Sequence, residues 1–323
     1  MSAITLSKAI DEYLSTIRQK QAKSVRTIGA QTSDLRHVVR HFTEILLTDI
    51  TKDSIGDFFG EMVNQQRYSP VTINRFWSTT VSFFNFCSEQ NYIRINPLSD
   101  MKPPVKAEIR PPTVLTKAEI RQLLLAPVKE YNRIKREYDR KKKEGESTAS
   151  LEKKLFDSAR NRAIVELLFA TGMRASEAAN LKKKDFNFHN CTVTIKNHGG
   201  KKRIGYFPSD DVKEALQAYT SLAGQYYGGF HKEIEDIRNR RESREESQYF
   251  FHFRNGKPLG PETVRDIVRR CAREAGIKKT ITPYTLRHTL TSFLLAEGVN
   301  IYSIQRLLGI TDVTRFLLTA KKK

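Results

Sequence analysis

Cysteine is scarce in this chain of 323 residues: Cys87, Cys191 and Cys271 lie far apart, with no C-x-x-C pair. An odd, scattered set of this kind argues against both a disulfide framework and a zinc site, and it fits a reducing cytoplasm best. No apolar run approaches the roughly 18 residues of a membrane span. The start, MSAITLSKAI, lacks a basic stretch followed by an apolar one, so no secretory leader is expected and no membrane partner. There is no glycine-rich phosphate loop and no cluster of metal ligands, so neither a metal nor a small-molecule cofactor is expected. Acidic residues are also short: 36 Asp and Glu stand against 56 Lys and Arg, a formal charge of +20. A polyanion is the natural partner of such a chain. Basic charge supplies affinity and not sequence choice, and the aromatic-rich strands of RNP-type RNA binders are missing.

What is present divides the chain in two. In the first hundred residues Ile10, Tyr13, Leu14 and Ile17 recur at helical spacing, as do Ile73, Phe76, Trp77 and Phe84, which predicts a small all-helical domain over 1–97. Pro97, Pro103, Pro104, Pro111 and Pro112 then follow within a short stretch, too many for a helix interior, and predict an extended linker over 98–113. Residues 114–323 read as mainly α with one exception. In CTVTIKNHGGKKRIGYFP, alternating residues flank Gly199 and Gly200, the pattern of a β-hairpin. Pro261, then Val264, Ile267, Val268 and Cys271, then Gly276 bound a helix whose other side carries Arg265, Arg269 and Arg273. Two highly charged stretches, VKEYNRIKREYDRKKKEGESTASLEKK and HKEIEDIRNRRESREESQ, predict solvated helical insertions.

Two segments carry chemistry. In ARNRAIVELLFATGMRASEAANL an apolar face (Ile164, Leu167, Leu168) stops at Gly172, and Arg174 opens a second helix with Glu177 three residues on. This resembles the first arginine motif of the tyrosine recombinases, in which the arginine is catalytic and the acid supports it. The segment TPYTLRHTLTSFLLAEGVNIYSIQRLLG resembles that family's second arginine box followed by the helix that leads into its Leu-Gly-His element, and Arg287 matches the second catalytic arginine. Guanidinium suits the role because its planar fork binds two phosphate oxygens and stays charged at working pH. The YSPVTINRFWSTTVSFFNFCSEQNYIRINPL stretch resembles the family's helical core-binding domain.

The resemblance covers nearly the whole chain. It implies a mainly α fold with a small hairpin sheet, built from an N-terminal core-binding domain and a C-terminal α+β catalytic domain that clamp duplex DNA. It also implies strand exchange through a 3′-phosphotyrosyl link, in a homo-tetramer assembled on DNA. The family's hairpin lysine protonates the leaving 5′ oxygen. Lys201 is the choice here, with Lys196 and Lys202 as alternatives; Lys196, Lys202, Arg203, Arg265 and Arg269 are expected DNA contacts.

Three positions depart from the family pattern. Tyr284 stands where a histidine usually precedes the second arginine, and with a pKa of about 10 a phenol is a poor base at neutral pH. Ile310 replaces the His or Trp that touches the scissile phosphate. After Ile310 the sequence runs TDVTRFLLTAKKK, without a tyrosine at the nucleophile's place. Phe316 is the nearest isostere, and a phenylalanine lacks the attacking oxygen. An engineered change, a natural inactive relative and an altered tail are all open readings. So is the alternative function, a non-catalytic DNA-binding relative that holds or regulates recombination sites. Tyr302, on the helix marked by Ile301, Ile304, Leu307 and Leu308, reads as part of a packing element.

Overall fold

The computed structural model describes residues 4–20, 25–43, 45–106, 111–196, 200–234 and 248–310. The chain splits into two compact units, Met1–Ile109 and Arg110–Lys323.

Among the described residues of the first unit, four α-helices dominate: α1 (Leu6–Gln19), α2 (Val25–Phe42), α3 (Lys52–Asn64) and α4 (Pro70–Glu89). Each apolar residue that set the helical period in the sequence is buried, from Ile10, Tyr13, Leu14 and Ile17 on α1 to Ile73, Phe76, Trp77 and Phe84 on α4. Ser69 caps α4, accepting from the Thr72 N–H, and Pro70 sits in the first turn, where its missing N–H costs no helical bond.

The proline-rich segment is not extended free chain along its whole length. Leu98 is buried with this unit's core, Met101 and Val105 pack against it, and Asn74 Nδ2 donates to the Val105 carbonyl at 2.9 Å. Prolines stop helices, but they do not stop apolar neighbours from docking. At the other end, the Leu115 N–H donates to Thr289 Oγ1 of the second unit at 3.0 Å.

The second unit contains α5 (Lys117–Lys143), α6 (Ala149–Thr171), α7 (Ala175–Ala179), α8 (Asp210–Ile234), α9 (Pro261–Glu274), α10 (Pro283–Ala296) and α11 (Ile301–Leu308). Its antiparallel sheet has the order β1 (Phe186–Asn187), β2 (Thr192–Lys196), β3 (Lys202–Tyr206). Lys196 pairs with Lys202 across the hairpin and Thr192 with Tyr206. Gly200 takes a left-handed φ of 74°, while Gly199 lies outside the described residues. The first charged stretch is helical, forming the end of α5 and the start of α6, but Tyr131, Ile134 and Leu151 within it are buried. Most of the second falls outside the described residues. No helix among the described residues is long and apolar enough to cross a membrane.

Helix α6 is the centre of this unit. It buries residues all round over 158–168, including Arg160, Asn161, Arg162 and Glu166. The Arg162 Nε donates to Glu166 at 2.9 Å and its Nη1 to Glu214 at 3.0 Å. Burial pushes the Glu166 carboxyl up to about 7 from its ordinary 4.5. The folded state therefore holds this proton more tightly than the unfolded chain. The group's stabilising contribution is complete below pH 4.5 and is lost as pH rises through about 7. Wild type relative to Glu166→Gln is expected to lose on the order of 2 to 3 kcal/mol between pH 5 and 8 in urea titrations. A difference that is flat with pH would refute the raised pKa.

Candidate active site

The site forms where α6, α7, β3, α10 and α11 end or begin. Gly172 closes α6 in the left-handed conformation, φ 58°, and turns the chain so that Arg174 becomes the residue before α7. Glu177, three residues on and buried, reaches back: its Oε2 accepts the Arg174 N–H at 2.8 Å, and its Oε1 accepts Arg174 Nη1 at 2.7 Å. The Arg174 side chain stays 44 % exposed. With Glu177, Lys182, Asp185, Lys196 and Tyr249 it lines a cavity of about 590 Å³.

Arg287 enters from the opposite end of the unit's sequence, on the second turn of α10, whose start is fixed by Thr282 capping the Thr285 N–H and by Pro283. It is only 2 % exposed. Its Nη1 donates to the Gly172 carbonyl at 2.7 Å and its Nη2 to the Leu308 carbonyl. Burial, and then the charges of Arg174 and Arg203, pull it down to about 10. The two arginines thus share one electrostatic neighbourhood, but Arg174 faces the cavity while Arg287 is turned into the protein. Main-chain carbonyls hold Arg287, and no sequence signal announces such acceptors.

Arg203 stands differently from its expected outward role. Its side chain is 11 % exposed and its Nη2 meets Glu177 Oε2 at 3.0 Å. Its Nη1 donates to the Leu307 carbonyl at 3.1 Å and the Thr171 carbonyl at 3.4 Å. Alternation on β3 puts this residue on the inner face, and burial lowers its pKa. Two guanidiniums, Arg174 and Arg203, therefore pair with one buried carboxylate, and the charges of both bear on the third, Arg287.

The remaining expected residues are scattered around this core. Lys201 and Lys202 are exposed at the hairpin end. Lys196 lies 3.6 Å from Asp185. Tyr284 is 54 % exposed, with its ring edge-on to His288 at 4.1 Å between centroids; His288 itself is buried. Arg265 and Arg269 both pair with Glu262 on α9, and Arg269 also with Asp266. Ile310 is half-buried just past α11, its N–H donating to the Gln305 carbonyl. Phe316 lies outside the described residues. Among the described residues no group of three or more His, Cys, Asp or Glu side chains could hold a metal. Sequence reasoning missed Lys182, Asp185 and Tyr249 as cavity residues, which no motif marks.

Arg174, Arg203 and Arg287 at a helix junction beside a β-hairpin, in a chain whose first unit is built of helices, mark a lambda-integrase-like fold. Solved structures share it: XerH site-specific recombinase bound to palindromic difH substrate in a post-cleavage complex (TM-score 0.70, 19 % identity, 98 % of this chain and 82 % of that one). A lambda integrase (75–356) dimer bound to a COC′ core site matches with TM-score 0.65 and 17 % identity, over 98 % of this chain and 95 % of that one. The phage integrase family model matches residues 143–315, and the phage integrase N-terminal SAM-like domain matches 10–91. Tyrosine recombinase XerD of Staphylococcus aureus is 30 % identical over 308 residues, 94 % of this chain and 90 % of the relative. The Staphylococcus haemolyticus XerD is 29 % identical over 309 residues, with the same coverage. The chain belongs to the phage integrase family, the tyrosine recombinases.

Proposed function

We propose that this protein binds duplex DNA at recombination sites, with Arg174 and Arg287 as ligands of one phosphodiester. The observation that carries this reading is that Arg174 and Arg203 share the single carboxylate of Glu177 while their charges also bear on buried Arg287. A surplus of guanidinium in a low-dielectric junction is suited to stabilising charge that builds on a phosphorane. Arg174, facing the cavity, makes the first contact; Arg287 joins by exchanging the Leu308 carbonyl for a phosphate oxygen. Lys201 on the hairpin protonates the departing 5′ oxygen, Tyr284 donates to a phosphate oxygen, and Lys196, Lys202, Arg265 and Arg269 contact the backbone. Residues 1–97 act as the core-binding domain, 98–113 as linker and 114–323 as the catalytic domain, in a homo-tetramer on DNA.

In an active member, a tyrosine oxygen attacks the phosphorus and releases the 5′ hydroxyl. The 5′ hydroxyl of the partner strand then displaces the tyrosine, so phosphodiester energy is conserved without ATP or metal. A second reading, a relative that holds or regulates such sites without cutting, is favoured by one feature: Ile310 offers no side-chain hydrogen bond.

Either reading requires salt-sensitive duplex binding. If about six phosphates are neutralised, affinity is expected to fall roughly a thousandfold between 50 and 200 mM salt in a gel-shift series. Binding that is absent at low salt, or insensitive to it, would end both readings.

A further inference from the structure

Arg203 is the member of the arginine cluster that ties the Glu177 carboxylate to two helix ends. Glu177 has two carboxylate oxygens. Arg174 Nη1 takes Oε1, while the Arg174 N–H and Arg203 Nη2 share Oε2. The other arm of the Arg203 fork reaches the last turn of α6 at Thr171 and the last turn of α11 at Leu307. Its Cδ lies 3.2 Å from where a Cβ on Gly309 would stand, and Gly309 has φ 62°, so the chain leaves α11 directly over this side chain.

We propose that Arg203 is a positioning residue: it holds Arg174 through the shared carboxylate of Glu177, and fixes the end of α11 beside it, without touching DNA. The inference rests on the reading of Arg174 as a phosphate ligand. Without Arg203, buried Glu177 loses one of the two guanidiniums that fix it, so Arg174 keeps its charge at the cavity but is held there in a less defined orientation. Two helix-end carbonyls lose a donor at the same time. Lysine cannot substitute, because one ammonium on a flexible stem does not present the two-armed fork that meets a carboxylate on one side and carbonyls on the other.

The test is fluorescence anisotropy with a 30-base-pair duplex over a salt series, at a temperature below the melting point of every variant. Arg203→Gln and Arg203→Lys are each expected to bind about tenfold more weakly at fixed salt, the size of one lost charge-assisted hydrogen bond, with the salt slope unchanged. Once Glu177→Gln has removed the shared charge, adding Arg203→Gln is expected to change affinity less than about twofold. As a comparator, Lys202→Gln is expected to reduce the slope by about 0.9. If Arg203→Gln fails to fold, Arg203→Lys carries the measurement. A slope reduced by about 0.9 in Arg203→Lys would make Arg203 a phosphate contact and overturn the proposal. So would a lowered melting temperature with unchanged affinity, or full additivity with Glu177→Gln. Wild type that binds at no salt concentration would instead bring down the duplex-binding reading on which this rests.

Discussion

A nicked suicide duplex incubated with these 323 residues is expected to leave no protein–DNA adduct on a denaturing gel. The reaction proposed above needs an aryl oxygen in line with the phosphorus, beside the two arginines assigned to it, and residues 311–323 supply none. Two tyrosines sit on the neighbouring helices. Tyr284 opens α10 with its ring packed edge-on to His288, and Tyr302 is 76 % exposed on the first turn of α11, at the opposite end of that helix from the Leu307 and Leu308 carbonyls. Tyr302→Phe is therefore expected to change nothing, while Phe316→Tyr is expected to create an adduct where none formed before. Because a suicide substrate lets the cut fragment diffuse away, even slow attack accumulates. An adduct from the unmodified chain, mapped by mass spectrometry to Tyr284 or Tyr302, would refute this placement.

The largest stability loss is expected from Gly172→Ala. Gly172 combines φ 58° with crowding: a Cβ there would stand 2.6 Å from Leu308 Cδ2, 3.2 Å from Leu290 Cδ2 and 3.7 Å from Arg287 Cγ. Leu308 is fully buried, so its methyl cannot swing aside into solvent. The left-handed backbone and the overpacking together are expected to cost roughly 3 kcal/mol in chemical denaturation. Gly200 is the control. It also has positive φ, 74°, but nothing lies within 4 Å of its added Cβ, so Gly200→Ala is expected to cost about 1 kcal/mol. Equal losses at both positions would show that the crowding against α11 is unimportant. Loss at Gly172 should also weaken DNA binding, since the Gly172 carbonyl anchors Arg287.

Local rules made much of the fold legible. The helix bounded by Pro261 and Gly276 forms as α9, ending at Glu274; Gly172 stops α6; and the alternating residues on either side of the glycine pair become β2 and β3. These features depend on a few consecutive residues and their backbone preferences. The family motifs likewise marked Arg174, Glu177 and Arg287. What stayed hidden depends on burial from several sides. Helix α6 has a readable apolar face in Ile164, Leu167 and Leu168, but its polar side is buried too, with Arg162 and Glu166 paired beneath neighbouring helices. Periodicity detects one buried face and not a helix enclosed on all sides. Arg203 reads as one more cation of a basic hairpin, since alternation alone does not tell which face of a two-sided strand turns inward. The docking of Leu98, Met101 and Val105 was masked by the prolines around them.

The acceptors that hold Arg287, the carbonyls of Gly172 and Leu308, belong to the peptide backbone and not to any side chain. Every amino acid offers the same oxygen at those places, so point substitutions cannot delete the anchor; they can only displace it by shifting the main chain. The anchor's genetic vulnerability is thus transferred to shape: to the one residue that permits the turn at 172, and to the packing that keeps α11 in register. In a deep mutational scan scored by DNA binding, conservative apolar exchanges at 308 should survive, while position 172 should accept almost nothing but glycine.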